Sequence, residues 1–153
     1  MRVLKKILVP VDFSPASAQA LAQAMTLAEP FSGSLHVLHT WEVPTYLRPD
    51  LTVWSGDVSA TLADHAKREA EKNMHRFLED ARLLESPHVT SEVLWGAPYP
   101  TILAVAEEGG YDLIAMGTHG RTGLAHLVMG SVAEKVVRHA KCPVLTVRVP
   151  EAA

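Results

Sequence analysis

Cysteine is nearly missing from this 153-residue chain: Cys142 stands alone. A single thiol excludes an intrachain disulfide and suits a reducing compartment. Placed before Pro143 at the start of an apolar run, Cys142 reads as a packing residue rather than a reactive one. Long apolar runs are missing too. After Arg2, Lys5 and Lys6 the first one is only Ile7-Leu-Val-Pro-Val11, too short for a signal sequence and far too short to span a bilayer. A cytoplasmic protein that does not enter a membrane is the expectation. Nor is there a strong excess of either charge, with 14 basic against 17 acidic residues, which argues against broad electrostatic binding of nucleic acid. Internal repeats and low-complexity tracts are absent.

Several familiar chemical signatures are also missing. No G-K-[ST] places a lysine on terminal phosphates, and no G-x-G-x-x-G marks a dinucleotide fold. The eight histidines never fall at a compact zinc-ligand spacing, and no nucleophile elbow is present. His36 and His39, three apart on a predicted strand, point to opposite faces. What remains is ordinary globular composition, 48% hydrophobic and 20% charged, read as one domain over residues 1–153. A chain of this length buries roughly 70% of the surface it exposes when unfolded.

Apolar runs at Lys5–Val11, Leu35–Trp41, Val89–Leu94, Asp112–Met116 and Val144–Val149 predict five strands. Helices are predicted between them. Ser14-Pro15 opens the first as N-cap and proline at the first helical position, with Ala18, Leu21, Ala22 and Met25 as its apolar stripe and Pro30 and Gly33 ending it. A second spans about Asp57 to Leu84, with Leu62, Ala66, Ala70, Phe77, Leu78 and Ala81 facing inward. Pro100 begins a third, stopped by Gly109-Gly110, and Ser131–Ala140 forms the fourth. Residues 42–56 read as an irregular loop or flap, the kind of long connection that tends to be functional. Strict alternation of strand and helix implies an α/β fold, an open five-stranded parallel sheet with right-handed crossovers and helices on both faces.

The most informative stretch is Gly117 to Ser131, GTHGRTGLAHLVMGS. A strand ends at Gly117, Gly120 follows after two residues, and Gly130-Ser131 opens a helix. A strand, a glycine-rich turn and a helix start together present free N–H groups and a positive helix end to an anion, and phosphate fits.

Read as G-x2-G-x9-G-[ST], this stretch resembles the nucleotide-binding signature of the universal stress protein family at every specified position. Lys6-Ile-Leu-Val-Pro-Val-Asp12-Phe-Ser14 resembles that family's first strand and turn, Leu35-His-Val-Leu-His39 its second strand and Cys142–Arg148 its last; residues 42–60 match no family pattern. The resemblance implies the ATP-binding branch and a Rossmann-like, flavodoxin-type strand order 3-2-1-4-5. That order sets strands one and four side by side where the sheet reverses, so Asp12 and Gly117 meet at one crevice. It further implies Asp12 on the ribose and Pro10, Val11 and Thr40 around adenine. Met116, Gly117, Gly120, Arg121, Gly130, Ser131 and Val132 complete the implied nucleotide-binding set. Mg²⁺ or Mn²⁺ would accompany ATP, held by phosphate oxygens and water.

Plainer readings stand beside these. Asp12 can simply cap the turn into the first helix, the glycines can serve tight helix–strand packing, and Ser131 can be an N-cap. Arg121 either pairs a phosphate or is an exposed arginine, Gly123 reads as a loop residue, and His119 either contacts a phosphate or, the plainer reading, faces solvent. The apolar terminal strand Val144–Val149, at a sheet edge, invites antiparallel pairing into a two-fold homodimer, as the resemblance also implies. The resulting expectation is an ATP-binding homodimeric stress protein that acts through nucleotide-dependent conformation or partner binding. The alternatives are a slow ATPase, the most enzymatic activity these residues suggest, and a dimeric interaction module without nucleotide.

Overall fold

The computed structural model describes residues 3–56, 58–119 and 129–149. In chain order the elements are β1 (Lys6–Pro10), α1 (Pro15–Ala28) with a short 3-10 turn at Glu29–Phe31, β2 (Ser34–Trp41), β3 (Thr52–Ser55), β4 (Val58–Thr61), α2 (Leu62–Asp80), β5 (Val89–Trp95), α3 (Pro98–Gly109), β6 (Leu113–Gly117), α4 (Ser131–His139) and β7 (Val144–Val147). Five strands form one sheet in the order β5-β2-β1-β6-β7, every neighbouring pair parallel. Counted without the β3–β4 hairpin, this is the 3-2-1-4-5 order, so the Rossmann-like α/β expectation holds. The sheet reverses between β1 and β6.

Alternate residues of the central strands feed two cores. Ile7 and Val9 on β1, with Leu35 and Val37 on β2, face α1 and α2 and pack with Leu21, Ala24, Met74 and Leu78. Leu8, Leu38 and Ile114 face the other way and pack with Ile102 and Ala106 of α3 and Ala133 and Val136 of α4. Ile7, Leu8 and Val9 are wholly buried, each stabilising the fold by about 1.5–3 kcal/mol through lost water contact. Among the described residues no helix is long and apolar enough to cross a membrane.

Four sequence expectations need correction. The irregular loop expected over residues 42–56 holds a strand: Thr52–Ser55 pairs antiparallel with Val58–Thr61, and Gly56, at φ 63°, follows its end. The second helix therefore starts at Leu62 rather than Asp57, where Thr61 accepts the Asp64 N–H at 3.1 Å and donates to its carboxylate at 2.7 Å. This reciprocal cap is what fixes the start. It also ends earlier, at Asp80, with Arg82 left-handed at φ 58° and the Leu83 N–H returning to the Leu78 carbonyl. Within it Met74, absent from the expected stripe, is buried with Ala70 and Leu78. The buried face of α1 is rotated: Ala16, Ser17, Ala20, Leu21, Ala24 and Ala28 point inward, while Ala18 and Ala22 are exposed. Alanine-rich helices carry two plausible stripes, and contact with β6 selects between them. Finally, α3 begins at Pro98, not Pro100, and ends as expected with Gly110 left-handed at φ 61°.

Candidate functional site

The C-terminal ends of β1 and β6 lie side by side, and the chain turns away from the sheet in a different manner at each. Past β1, the Val11 N–H still donates to the Leu38 carbonyl at 2.8 Å. The backbone then breaks upward through Asp12 and Phe13, the latter at φ 65°, a conformation uncommon for a bulky residue. A local hydrogen-bond network holds this turn. The Ser14 N–H and the Ser17 hydroxyl both donate to Asp12 Oδ1, at 3.0 and 2.7 Å, and the Asp12 N–H donates to Ser17 Oγ at 3.0 Å. Ser14 caps α1 by accepting the Ser17 N–H, and Pro15 occupies the first turn. From β2, His39 Nδ1 donates to the Val11 carbonyl at 2.8 Å, and its ring lies 4.3 Å from that of Phe13.

Past β6, the Thr118 N–H donates to Val147 on β7, and the Thr118 carbonyl accepts the Gly130 N–H at 2.6 Å. The chain leaving the sheet and the chain entering α4 are thus clasped at one point. A Cβ on Gly130 would stand 3.0 Å from that carbonyl. The first intrahelical bond of α4 runs from the Glu134 N–H to the Gly130 carbonyl, so the Ser131, Val132 and Ala133 N–H groups precede it and form the positive end of the helix. Gly130, not Ser131, holds the N-cap position and makes no side-chain cap bond. The N-cap reading of Ser131 is therefore wrong: Ser131 is the first helical residue and exposed.

Between these two rims lies a cavity of about 270 Å³, near the lower end of the roughly 300–1,000 Å³ range of small-molecule sites. Pro10, Val11, Asp12, Thr40, Met116, Gly117, Gly130, Ser131 and Val132 all line it, which brings nine of the eleven sequence-nominated residues to one place. Gly120 and Arg121, like Gly123, lie outside the described residues. Ser17, Leu38, His39, Pro98, Ile102, Thr118, His119 and Ala133 also line the cavity and were not nominated. A signal existed for Thr118 and His119, which sit inside the glycine stretch. Pro98 and Ile102 reach the site from α3 through tertiary packing, which no local pattern reports. His119 does not simply face solvent: it is half-buried, with Nδ1 2.9 Å from the Thr118 hydroxyl, and Nε2 is buried without a hydrogen-bond partner among the described residues.

The cavity lining combines two opposite electrostatic preferences. Past β1 stands the Asp12 carboxylate, acceptor-only when ionised. At the start of α4 stand backbone amides, which favour an anion. Leu38, Ile102, Met116 and the prolines Pro10 and Pro98 supply apolar wall.

Comparison with known proteins gives consistent results. The sequence model of the universal stress protein family matches residues 4–148. The chain is 33% identical over 148 residues to universal stress protein MJ0531 of Methanocaldococcus jannaschii, an alignment that covers 96% of this chain and 84% of that protein. The solved structure of MJ0577 from the same organism superposes with a TM-score of 0.78 at 25% identity, covering 99% of this chain and 100% of that one. A universal stress protein solved in complex with cAMP shares the fold, with a TM-score of 0.68 at 19% identity over 96% of this chain and 98% of that one.

Proposed function

The chain belongs to the universal stress protein family, and from that premise and the cavity we propose that it binds an adenine nucleotide, ATP in the first instance, and acts in stress response as a nucleotide-dependent homodimer in the cytoplasm. The observation that carries this reading is that the Asp12 carboxylate and the α4 amides, with opposite electrostatic preferences, line one largely apolar cavity. A carboxylate repels phosphate and welcomes hydroxyl donors, so the sugar belongs at Asp12. The α4 amides favour the anionic tail, so the phosphates belong beside Gly130, Ser131 and Val132. The planar, largely apolar base then lies against Pro10, Val11, Leu38, Thr40 and Met116. Mg²⁺ or Mn²⁺ travels with the triphosphate on phosphate oxygens and water.

The fold itself accommodates such a ligand in the relative solved with cAMP; for this chain the reading rests on its own cavity. Dimerisation proceeds through β7, which lies at the edge of the sheet and whose four residues are all only half-buried. Nucleotide bound to the folded form stabilises it by mass action.

Equilibrium titration of the purified chain with ATP and Mg²⁺ tests the reading. Saturable binding is expected, together with a weakening of at least about tenfold in Asp12→Ala, since a hydrogen bond to a charged acceptor contributes about 1.5–3 kcal/mol. Lack of binding at millimolar ATP, or equal affinity in Asp12→Ala, contradicts it.

A further inference from the structure

Ser17 sits in the first turn of α1 and is almost wholly buried, 4% exposed. Its hydroxyl is wired twice to the same residue, accepting the Asp12 N–H at 3.0 Å and donating to Asp12 Oδ1 at 2.7 Å. The Ser14 hydroxyl adds a longer bond to Ser17 Oγ at 3.3 Å. An ordinary turn initiated by aspartate needs only a backbone N–H on the carboxylate, which the Ser14 N–H already provides. The Ser17 contact goes further: two donors on one carboxylate oxygen fix the rotation of the whole group. Phe13, the residue enclosed by this network, is in the left-handed region and is braced by ring contacts to His39 at 4.3 Å and Phe77 at 5.6 Å. Strain that persists under so many constraints is the pattern expected where a side chain must be held in one pose.

This inference rests on the nucleotide reading above. We propose that Ser17 is a positioning residue: it aims the Asp12 carboxylate at the vicinal hydroxyls of the nucleotide's sugar and thereby makes the site prefer a ribose over a 2′-deoxyribose. A diol offers two donors at a fixed separation, and a carboxylate matches both only in a limited range of orientations. A carboxylate that loses the Ser17 donor keeps the Ser14 N–H but is held less tightly in rotation; it still meets one hydroxyl, or water, so the advantage of the second hydroxyl disappears while the charge stays. A site arranged to bond a hydroxyl discriminates strongly against the analogue without it. The α4 amides are untouched by Ser17, so the phosphates are held as before.

The test compares ATP with dATP, each with Mg²⁺, by calorimetric titration of the full chain in four forms. The wild type is expected to bind ATP about tenfold or more tightly than dATP. In Ser17→Ala the ATP:dATP ratio falls to about one, while dATP affinity stays within roughly threefold of wild type. Ser14→Ala is the control for simple destabilisation. It removes the helix cap, the Ser17 N–H to Ser14 Oγ bond of 3.2 Å, and the longer hydroxyl contact, but keeps the Ser14 N–H and Ser17 hydroxyl on Asp12. It lowers the melting temperature and preserves the ratio. Ser17→Cys, close in size and a poor hydrogen-bonding group, gives a second route to the loss if the alanine variant does not fold. A wild-type ratio retained in the folded Ser17 variants overturns the positioning role and leaves nucleotide binding standing. A wild type that binds both nucleotides equally overturns the sugar preference itself. A wild type that binds neither removes the nucleotide reading and this inference together.

Discussion

At Gly117 a Cβ would come within 2.7 Å of the Ala16 Cβ and 2.9 Å of the Ala16 carbonyl carbon, so packing of α1 against the end of β6 already requires glycine there. Neither Gly117 nor Gly130 is among the positive-φ glycines; close approach, not backbone conformation, is the reason for both. The same Ala16 contact draws the Asp12 turn and the β6 terminus onto one rim, so packing and site formation are a single event at this position. Gly117→Ala is expected to lower stability by about 1–3 kcal/mol, the usual result of forcing extra volume into a packed contact, measurable by urea unfolding. An unchanged midpoint would mean that α1 shifts freely on the sheet. That Asp12, Gly117 and Gly130 come to one cavity was legible because each residue type has a narrow chemical use. His39 and Ser17 were not, because a histidine within a strand and a serine within a helix each have many ordinary uses, and only their partners, Val11 and Asp12, distinguish them.

The elements themselves were legible wherever hydrophobic runs were long. The central strands β1, β2 and β6 are largely buried, so they read as mostly apolar segments, whereas β5 and β7, at the two edges, are only half-buried or exposed. The hairpin β3–β4 was less plain, although Thr52-Val-Trp-Ser and Val58-Ser-Ala-Thr flank a Gly56-Asp57 pair, a recognised two-residue hairpin signal. Its strands are short and Trp54 is largely exposed, so no buried face announced them. The start of α2 follows from Thr61 and Asp64, whose side chains satisfy the helix end. The Thr61 hydroxyl holds the Asp64 carboxyl below its ordinary value of 3.8, helped by the Thr61 backbone bond and the nearby Arg68 and Lys67. A carboxyl whose pKa is lower folded than unfolded stabilises the folded state above its unfolded pKa, and this stabilisation is lost as pH falls through the lower folded value. An NMR titration should place the Asp64 midpoint below 3.8, and Asp64→Asn should remove that contribution to acid sensitivity. A midpoint at or above the ordinary value would show the cap to be unformed.

For the molecule as a whole, both the crevice and the proposed assembly surface follow from strand order. The reversal between β1 and β6 opens the cavity, and the same order leaves β7 at an edge. The Pro143 and Val147 carbonyls accept from Ile114 and Thr118, so odd-numbered residues of this strand face β6, and the backbone groups of Val144 and Thr146 face outward. Thr146→Pro removes an outward N–H and leaves the inner ladder intact, a substitution edge strands tolerate. It is expected to convert a dimer into a folded monomer in sedimentation analysis, whereas a dimer unaffected by it would place the interface elsewhere. The central claim is that one cavity holds the nucleotide between Asp12 and the start of α4. Its most direct test is an amide NMR titration of the chain with MgATP. The expected perturbations cluster at Val11, Asp12, Thr40, Gly117, Ser131 and Val132; perturbations confined to another surface, such as the groove of Lys67, Glu71, His75 and Glu92 between α2 and β5, or none at millimolar ATP, would contradict the account.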